Sequence, residues 1–301
     1  MRTLLIGAVL LPALVAACGS GGTAAGPGEG GSSVTMPAVD PAELLEGRGT
    51  VLDDGSGPQL CLGGVAESYP PQCSGITLAG WDWDAVDGEE SAAGTTWGEF
   101  QVVGTYDGET FTVAEVRPYD AGAVADGGER DFTTPCTKPA GGWVAEDPGK
   151  AGDAGFSAGA EIAQGLPGYV TLWVDYAEDL TPEELDERAM KGDPVLQIMN
   201  VIVTEDAAGA EAAIREAWGG PLCITEREGH TAAERTAIRL EAERFIAEEL
   251  GLETLSSSEG DIGLAAEFGV VVDPGGAGQA ALDERYGPGM VRLVPALRPA
   301  L

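Results

Sequence analysis

The hydrophobic pattern of this 301-residue chain changes its period part-way along, and that change constrains the fold more than any other feature. From residue 47 to about 116, short apolar runs alternate with polar residues and are interrupted by Gly, Pro and Asp, which is typical of strands. After Gly168, apolar residues recur at helical spacing between further strand-like runs. The pattern predicts an α+β chain in which a strand-only part precedes a mixed part.

The strand-only part is predicted to be a small β barrel or sandwich. Its clearest signal is Asp107-Gly108, which lies between the alternating runs 97–105 and 110–116 and favours a tight hairpin. Three shorter runs precede it, so this part holds about five strands, as an OB-like barrel does. The OB-like barrel is the preferred prediction for this part.

The mixed part has two helix starts that local chemistry identifies. Thr181 with Glu184, and Thr231 with Glu234, have the spacing of capping boxes. Strands are expected at 169–174, 194–204, 222–225, 268–272 and 290–297, and further helices at 207–218 and 277–285. This alternation predicts an open-faced α/β sandwich of βαβ units.

One internal echo supports repeated βαβ units. A Val-Asp pair ending at Asp175 precedes the letters LDER at 185–188, and a second pair ending at Asp273 precedes the same letters at 282–285. Each copy has the order strand, turn, helix, strand. A charged helix face of ordinary composition gives the same letters, so duplication and coincidence both stay open.

The start of the chain predicts export and a lipid anchor. Arg2 is followed by the apolar run 4–11, which is too short to span a bilayer and has the form of a signal peptide. The Val-Ala-Ala that precedes Cys18 resembles the lipobox of bacterial lipoproteins, in which the cysteine becomes the lipidated first residue. An ordinary signal peptide with a chance cysteine is the alternative.

The charge balance excludes two classes of partner. Sixteen Lys and Arg against fifty Asp and Glu give a formal charge of −34. Nucleic acid and anionic headgroups repel such a protein, so contact with the membrane is left to the acyl chains on Cys18. The Gly-, Ser- and Ala-rich residues 19–39 predict a flexible tether between the anchor and the folded parts.

The five cysteines become an even four once Cys18 is assigned to lipidation. In an oxidising compartment these four predict two disulfides, with three connectivities possible. Cys61 and Cys73 bracket a short Pro-containing loop, so we pair them with each other. By elimination, Cys136 pairs with Cys223. A zinc site is the rival interpretation, but the chain has no CxxC pair and a single histidine.

These features divide the chain into five predicted parts. They are a signal peptide (1–17), a lipidated flexible tether (18–46), a small β domain (47–117), a connector (118–168) and an α+β domain (169–301). The connector is rich in Gly, Ala and Pro with weak periodicity, and Cys136 would clasp it to the α+β domain.

Part of the β domain and of the connector resembles a known group of proteins. The resemblance rests on Cys61-Leu-Gly, Ser68-Tyr-Pro-Pro-Gln-Cys73-Ser-Gly, Gly80-Trp-Asp-Trp, Trp97-Gly, Gly104-Thr-Tyr-Asp-Gly, Thr134-Pro-Cys136 and Gly141-Gly-Trp143. This block looks like the N-terminal region of uncharacterised exported lipoproteins of high-GC Gram-positive bacteria. The resemblance implies export and a lipid anchor. It implies no activity, and no site residue is carried over from it.

A serine hydrolase is the first candidate activity. Residues 155–159 fit G-x-S-x-G around Ser157, and His230 could complete a Ser–Asp–His order. A nucleophile elbow needs a strand before its serine, and the Asp-, Pro- and Gly-rich segment 147–153 does not read as one. With 46 glycines in the chain a chance match is expected, so Ser157 and His230 are predicted not to be catalytic.

Calcium binding is the second candidate. Five acids cluster in one run, Asp82, Asp84, Asp87, Glu89 and Glu90. Calcium prefers such oxygen ligands, but Val86 interrupts the alternate spacing of an EF-type loop. A solvated turn with Trp81 and Trp83 facing inward is the preferred interpretation. No P-loop or GxGxxG follows a strand, so no nucleotide cofactor is predicted.

The sequence therefore predicts a non-catalytic lipoprotein on the outer face of the cell membrane. It would bind a protein or small-molecule partner through its β domain or through the cleft between its folded parts. An exported hydrolase or calcium-dependent enzyme is the alternative, and neither a cofactor nor a metal is predicted.

Overall fold

Thirteen strands and five α-helices follow one another in the computed structural model, which describes residues 35–119, 131–178, 180–191, 195–260 and 263–300. The strands are β1 (Leu45–Asp53), β2 (Gln59–Cys61), β3 (Ile76–Ala79), β4 (Glu90–Ala92), β5 (Thr95–Tyr106), β6 (Thr110–Pro118), β7 (Tyr169–Tyr176), β8 (Gln197–Val203), β9 (Leu222–Glu226), β10 (Thr254–Glu259), β11 (Ala266–Val270), β12 (Val291–Pro295) and β13 (Arg298–Pro299). The helices are α1 (Asp153–Gln164), α2 (Pro182–Met190), α3 (Ala207–Arg215), α4 (Ala232–Glu248) and α5 (Ala277–Tyr286). The mixed α+β class predicted from the sequence is confirmed.

The predicted signal peptide, Cys18 and most of the tether lie outside the described residues. Within the described ranges, no helix combines the length and the apolar character that a bilayer crossing requires.

Five strands close into a ring in the order β1-β2-β3-β6-β5, because β1 pairs with β5 as well as with β2. β3 and β6 run parallel, and the other neighbours in the ring run antiparallel. The β5–β6 hairpin turns at Asp107-Gly108, as predicted. Gly108 has a φ of +105°, which side chains disfavour, and the Asp107 carboxylate accepts a hydrogen bond from Thr110 N at 2.8 Å.

Residues from distant parts of the chain fill the core of this ring. Phe111 is fully buried there together with Val271 and Leu297, which follow β11 and β12. β13 extends the same sheet by pairing with β1, with Arg298 opposite Glu46. The predicted β domain thus takes part of its core from residues of the predicted α+β domain.

The remaining strands form two three-stranded sheets with the same architecture, β7-β8-β9 and β10-β11-β12. In each sheet the first two strands are antiparallel and the last two are parallel. A helix precedes the first strand of each sheet, and another joins its last two strands. From α1 to β12 the chain thus forms two equivalent units. We call α1-β7-β8-α3-β9 the first half and α4-β10-β11-α5-β12 the second half.

The two halves also agree in register. Each parallel pair aligns five residues of one strand with five of the next. Each antiparallel pair has a β-bulge at the second residue of its first strand, Val170 in the first half and Leu255 in the second. Val170 and Leu255 are therefore equivalent positions.

This equivalence changes the interpretation of the two LDER segments, which do not lie at equivalent positions of the two halves. The first LDER lies on α2 and the second on α5. α2 joins the antiparallel strands β7 and β8, so the first copy is not a βαβ unit. The βαβ units are instead β8-α3-β9 and β11-α5-β12, in which a helix joins parallel strands.

The predicted capping boxes are present. The Glu234 carboxylate accepts from Thr231 N at 2.8 Å, and Glu234 N donates to Thr231 Oγ1 at 3.2 Å. Thr181 and Glu184 make the same reciprocal bonds. The bonds from each threonine hold the pKa of Glu184 and of Glu234 below the usual range of a glutamate.

Helix α1 lies inside residues 118–168, which the sequence predicts to be a connector of weak periodicity. Its glycines, which gave that segment its loop-like composition, are required by packing. A side chain at Gly159 would come within 2.8 Å of Trp218 Cβ and 3.1 Å of Met199 Cε. α1 and α3 thus cover one face of the sheet β7-β8-β9, and α4 and α5 cover the matching face of β10-β11-β12.

Another part of the connector covers the opposite face of the sheet β7-β8-β9. We call residues 131–147 the strap. The Thr134 backbone N and Oγ1 donate to the Asp175 carboxylate at 2.8 and 2.7 Å. Trp173 Nε1 donates to the carbonyl of Phe132 at 2.9 Å. The strap is therefore an irregular piece of the chain bound to this opposite face, which we call the back of the first half.

Candidate functional site

The four cysteines of the folded part form two disulfides, Cys61–Cys73 and Cys136–Cys223. These are the pairs predicted from the sequence. Cys223 lies on β9 and is buried, so the second disulfide fixes the strap to the back of the first half.

Ser157 lies within α1, on its exposed side, and not at a turn between a strand and a helix. The Gly-x-Ser-x-Gly letters are explained by packing, because Gly155 and Gly159 face Lys150 and Trp218 at distances that leave no room for a side chain. His230 lies directly before α4, with its Nδ1 atom 3.8 Å from the Glu234 carboxylate. The local geometry of a nucleophile elbow is not formed at Ser157.

The acidic run 82–90 begins with a short turn and ends at the first residue of β4. The Asp82 carboxylate accepts from Asp84 N at 3.0 Å and begins a short 3-10 turn. Trp81 and Trp83 pack edge-to-face on each other and on Phe100 of the ring. Within the described part of the chain, no three Asp, Glu, His or Cys side chains converge as metal ligands would.

A cleft lined by both apolar and charged side chains lies between the β ring and the second half. It has two chambers of about 300 and about 330 Å³, and both are lined by Leu62 and Leu255. Leu62 follows β2, and Leu255 is the bulge residue of β10. We call this the junction cleft.

The first chamber is floored by the sheet β10-β11-β12. Ser256, Gly269 and Val294 lie in one row across the three strands and line it. The residue of the first half that is equivalent to Gly269 is Ile202, which is fully buried. The face of the sheet that the strap covers in the first half is therefore the face that the second half presents to the junction cleft.

Three charged residues line this first chamber, which we call the arginine chamber. They are Glu46 and Arg48 of β1 and Arg298 of β13. The Glu46 carboxylate accepts from Gln101 Nε2 at 3.1 Å and lies 3.9 Å from Arg117 Nη1. Arg298 makes no ion pair with any described residue, so its guanidinium is the group that an anionic ligand in this chamber would meet.

The second chamber, the glutamate chamber, has the opposite charge. Glu109 and Glu253 line it, and Tyr106 forms part of its wall. Burial is the main cause that raises the pKa of the Tyr106 hydroxyl, and the charges of Glu253, Asp107 and Glu109 raise it further. The carboxylates at this end thus generate a negative potential at the wall of the chamber.

No motif in the sequence marks the residues that line the junction cleft. Arg48, Glu253 and Arg298 are far apart in the sequence, and only the pairing of β13 with β1 brings the two arginines to one strand pair. The signal that could have been noted is Gly63-Gly64 after a strand, since small residues favour a cleft wall.

Comparisons with models of protein families, with curated proteins and with solved structures found no match for this chain. The chemistry of the junction cleft is therefore the guide to its function.

Proposed function

We propose that this protein is a non-catalytic lipoprotein of the cell envelope that binds a small molecule or a segment of a partner protein in the junction cleft. The observation that carries the proposal is the position and lining of this cleft. It lies where the β ring meets the second half, and charged groups of both signs reach it. Ligand sites favour such junctions, with a few polar groups set among apolar walls.

The anchor in this proposal is the lipidated Cys18, on the outer face of the cell membrane. A protein with a formal charge of −34 is repelled by anionic headgroups. The acyl chains would therefore hold the protein, and the tether would keep the junction cleft at a distance from the bilayer.

We also propose that the β ring is OB-like and that each half is an open-faced sandwich. The strand order β1-β2-β3-β6-β5, with β3 parallel to β6, supports the first statement. Helices on one face of each three-stranded sheet support the second. OB-type barrels bind ligands over their second and third strands, and Ile76 and Thr77 of β3 line the glutamate chamber.

The test is fragment binding to the ¹⁵N-labelled mature chain carrying Cys18→Ser, followed by amide chemical shifts. Fragments should shift the amides of Gly63, Ser256 and Gly269 as one cluster. Gly64 lines the arginine chamber, has open space where a side chain would start and has no positive φ. Gly64→Trp should therefore fill the chamber without strain and abolish these shifts.

Gly141→Trp is the matched control, because Gly141 also has open space around it and does not line the junction cleft. This variant should bind fragments like the parent protein. Fragment shifts that cluster elsewhere and survive Gly64→Trp would refute the proposed function.

A further inference from the structure

We propose that the junction cleft binds a short peptide with both termini free, with its carboxylate in the arginine chamber and its ammonium group in the glutamate chamber. This inference rests on the proposed function and adds the chemical class and the orientation of the ligand.

The peptide class follows from the equivalence of the two halves. The back of the first half is occupied by the strap, an irregular segment held by main-chain and side-chain hydrogen bonds. The same face of the second half floors the arginine chamber. The two sheet faces have the same architecture, and the one in the first half binds a segment of polypeptide. We therefore expect the one in the second half to bind a peptide.

The orientation follows from the charges. The guanidinium fork of arginine matches a carboxylate, which accepts two parallel hydrogen bonds from it. Arg298 makes no ion pair with any residue that the structure describes, although acids outnumber cations by about three to one in this chain. A peptide carboxylate at Arg298 would supply the anion.

The other end of the cleft suits an ammonium group. Glu109 and Glu253 are both exposed at the glutamate chamber. At the bulge of the first half a cationic group binds the main chain, because Arg235 Nη2 donates to the carbonyl of Val170 at 2.7 Å. The equivalent bulge residue in the second half is Leu255, at the boundary of the two chambers.

The lining of both chambers includes Leu62 and Leu255, so a ligand that spans these two leucines would reach both ends. These two leucines would contact the apolar middle of the peptide. The combined volume of the two chambers suits a few residues rather than a folded domain.

The experiment is isothermal titration of the mature chain carrying Cys18→Ser with alanine peptides of two to five residues. Each length is used with free termini, N-acetylated, C-amidated and blocked at both ends. We expect the free peptide of the best length to bind most tightly, and each single block to weaken binding about tenfold, since each removes one charge-assisted contact.

Two variants assign the ends. Arg298→Gln should weaken the free peptide about tenfold and make binding insensitive to amidation. Glu253→Gln should also weaken the free peptide about tenfold, and it should make binding insensitive to N-acetylation. The controls are Arg292→Gln, on the sheet face that floors the arginine chamber, and Glu259→Gln, at the far end of the strand that follows Glu253. Both residues lie outside the cleft lining, and both variants should bind like the parent protein.

Equal affinity for free and doubly blocked peptides would overturn the inference. Loss of affinity on only one kind of blocking would also overturn it, because the ligand would then be a simple anion or a simple cation. If fragments occupy the junction cleft and no alanine peptide binds, the peptide inference fails and the proposed function stands. If nothing binds in the cleft, both fail.

Discussion

Asn200 lies directly opposite Cys223 in the parallel pair β8–β9, so a fully buried carboxamide shares a sheet face with the disulfide that fixes the strap. Its Nδ2 atom donates to the carbonyl of Ile198 at 3.4 Å, and its Oδ1 atom has no hydrogen-bond partner among the described residues. A buried polar atom without a partner costs free energy.

Asn200→Leu is therefore expected to raise the free energy of unfolding by about 1–2 kcal/mol, because it removes this cost and keeps a similar volume. Urea unfolding at neutral pH measures the change. Gln101→Leu is the matched control, since the Gln101 amide is also buried but donates to Glu46, and it should gain nothing. A less stable Asn200→Leu protein would show that the amide is needed where it lies.

The two disulfides should contribute unequally to stability. Cys136 and Cys223 are separated by 87 residues, and Cys61 and Cys73 by 12. Loop-closure entropy then gives about 5 kcal/mol for the first bridge and about 3 kcal/mol for the second. Unfolding of the two double alanine variants should show the larger loss for the first pair. Equal losses, or peptide maps that join Cys73 to Cys136, would contradict the assignment.

The lipid anchor can be tested at Cys18. Cys18→Ala should release the protein from membranes or leave an unprocessed precursor, because no thiol remains to be acylated. Fractionation and the apparent mass of the product measure the outcome. Membrane retention of the variant at the mature size would be incompatible with a lipidated Cys18.

The sequence predicts a hinge between the β domain and the strap within residues 118–130, which are rich in Gly and poor in apolar residues; residues 120–130 lie outside the described ones. Limited proteolysis without reductant should cut there first, leaving a β fragment and a larger fragment that begins before Cys136. Because Val271 and Leu297 lie in the core of the ring, the fragments should stay together on gel filtration until denaturant is added. A first cut between 149 and 168 that releases the strap with the β fragment is the result that excludes this hinge.

Ser157 and His230 are expected to be dispensable for any hydrolytic activity. Ester and peptide substrates assayed with Ser157→Ala and His230→Ala should give the rates of the parent protein. A true nucleophile or base would lower the rate by about a thousandfold or more, and such a drop would falsify this assignment.

The parts of the fold that could be predicted are those that depend on neighbours in the sequence. Asp107-Gly108 specifies its hairpin, and Thr231 with Glu234 specifies a helix start, because the bonds involved span three residues or fewer. Helix α1 could not be predicted in this way. Its glycines are unfavourable in an isolated helix and are explained only by the approach of Trp218 from a distant segment.

The junction cleft could not be predicted for a related reason. Arg48 and Arg298 come together through strand pairing between residues that are far apart in the sequence, and Leu255 reaches the cleft only because β10 carries a bulge. The disulfide pairing could be predicted from the sequence, because four cysteines allow few connectivities and one pair is close in sequence.

The pairing of β13 with β1 also sets an order of events during synthesis. All five ring strands are made before β7 begins, yet Leu297 and the partner of Leu45 are among the last residues of the described chain. Contacts between such distant segments form slowly and leave unpaired edges exposed in the meantime. A polypeptide that stops short of Leu297 would carry every strand of the ring and still be unable to close its core.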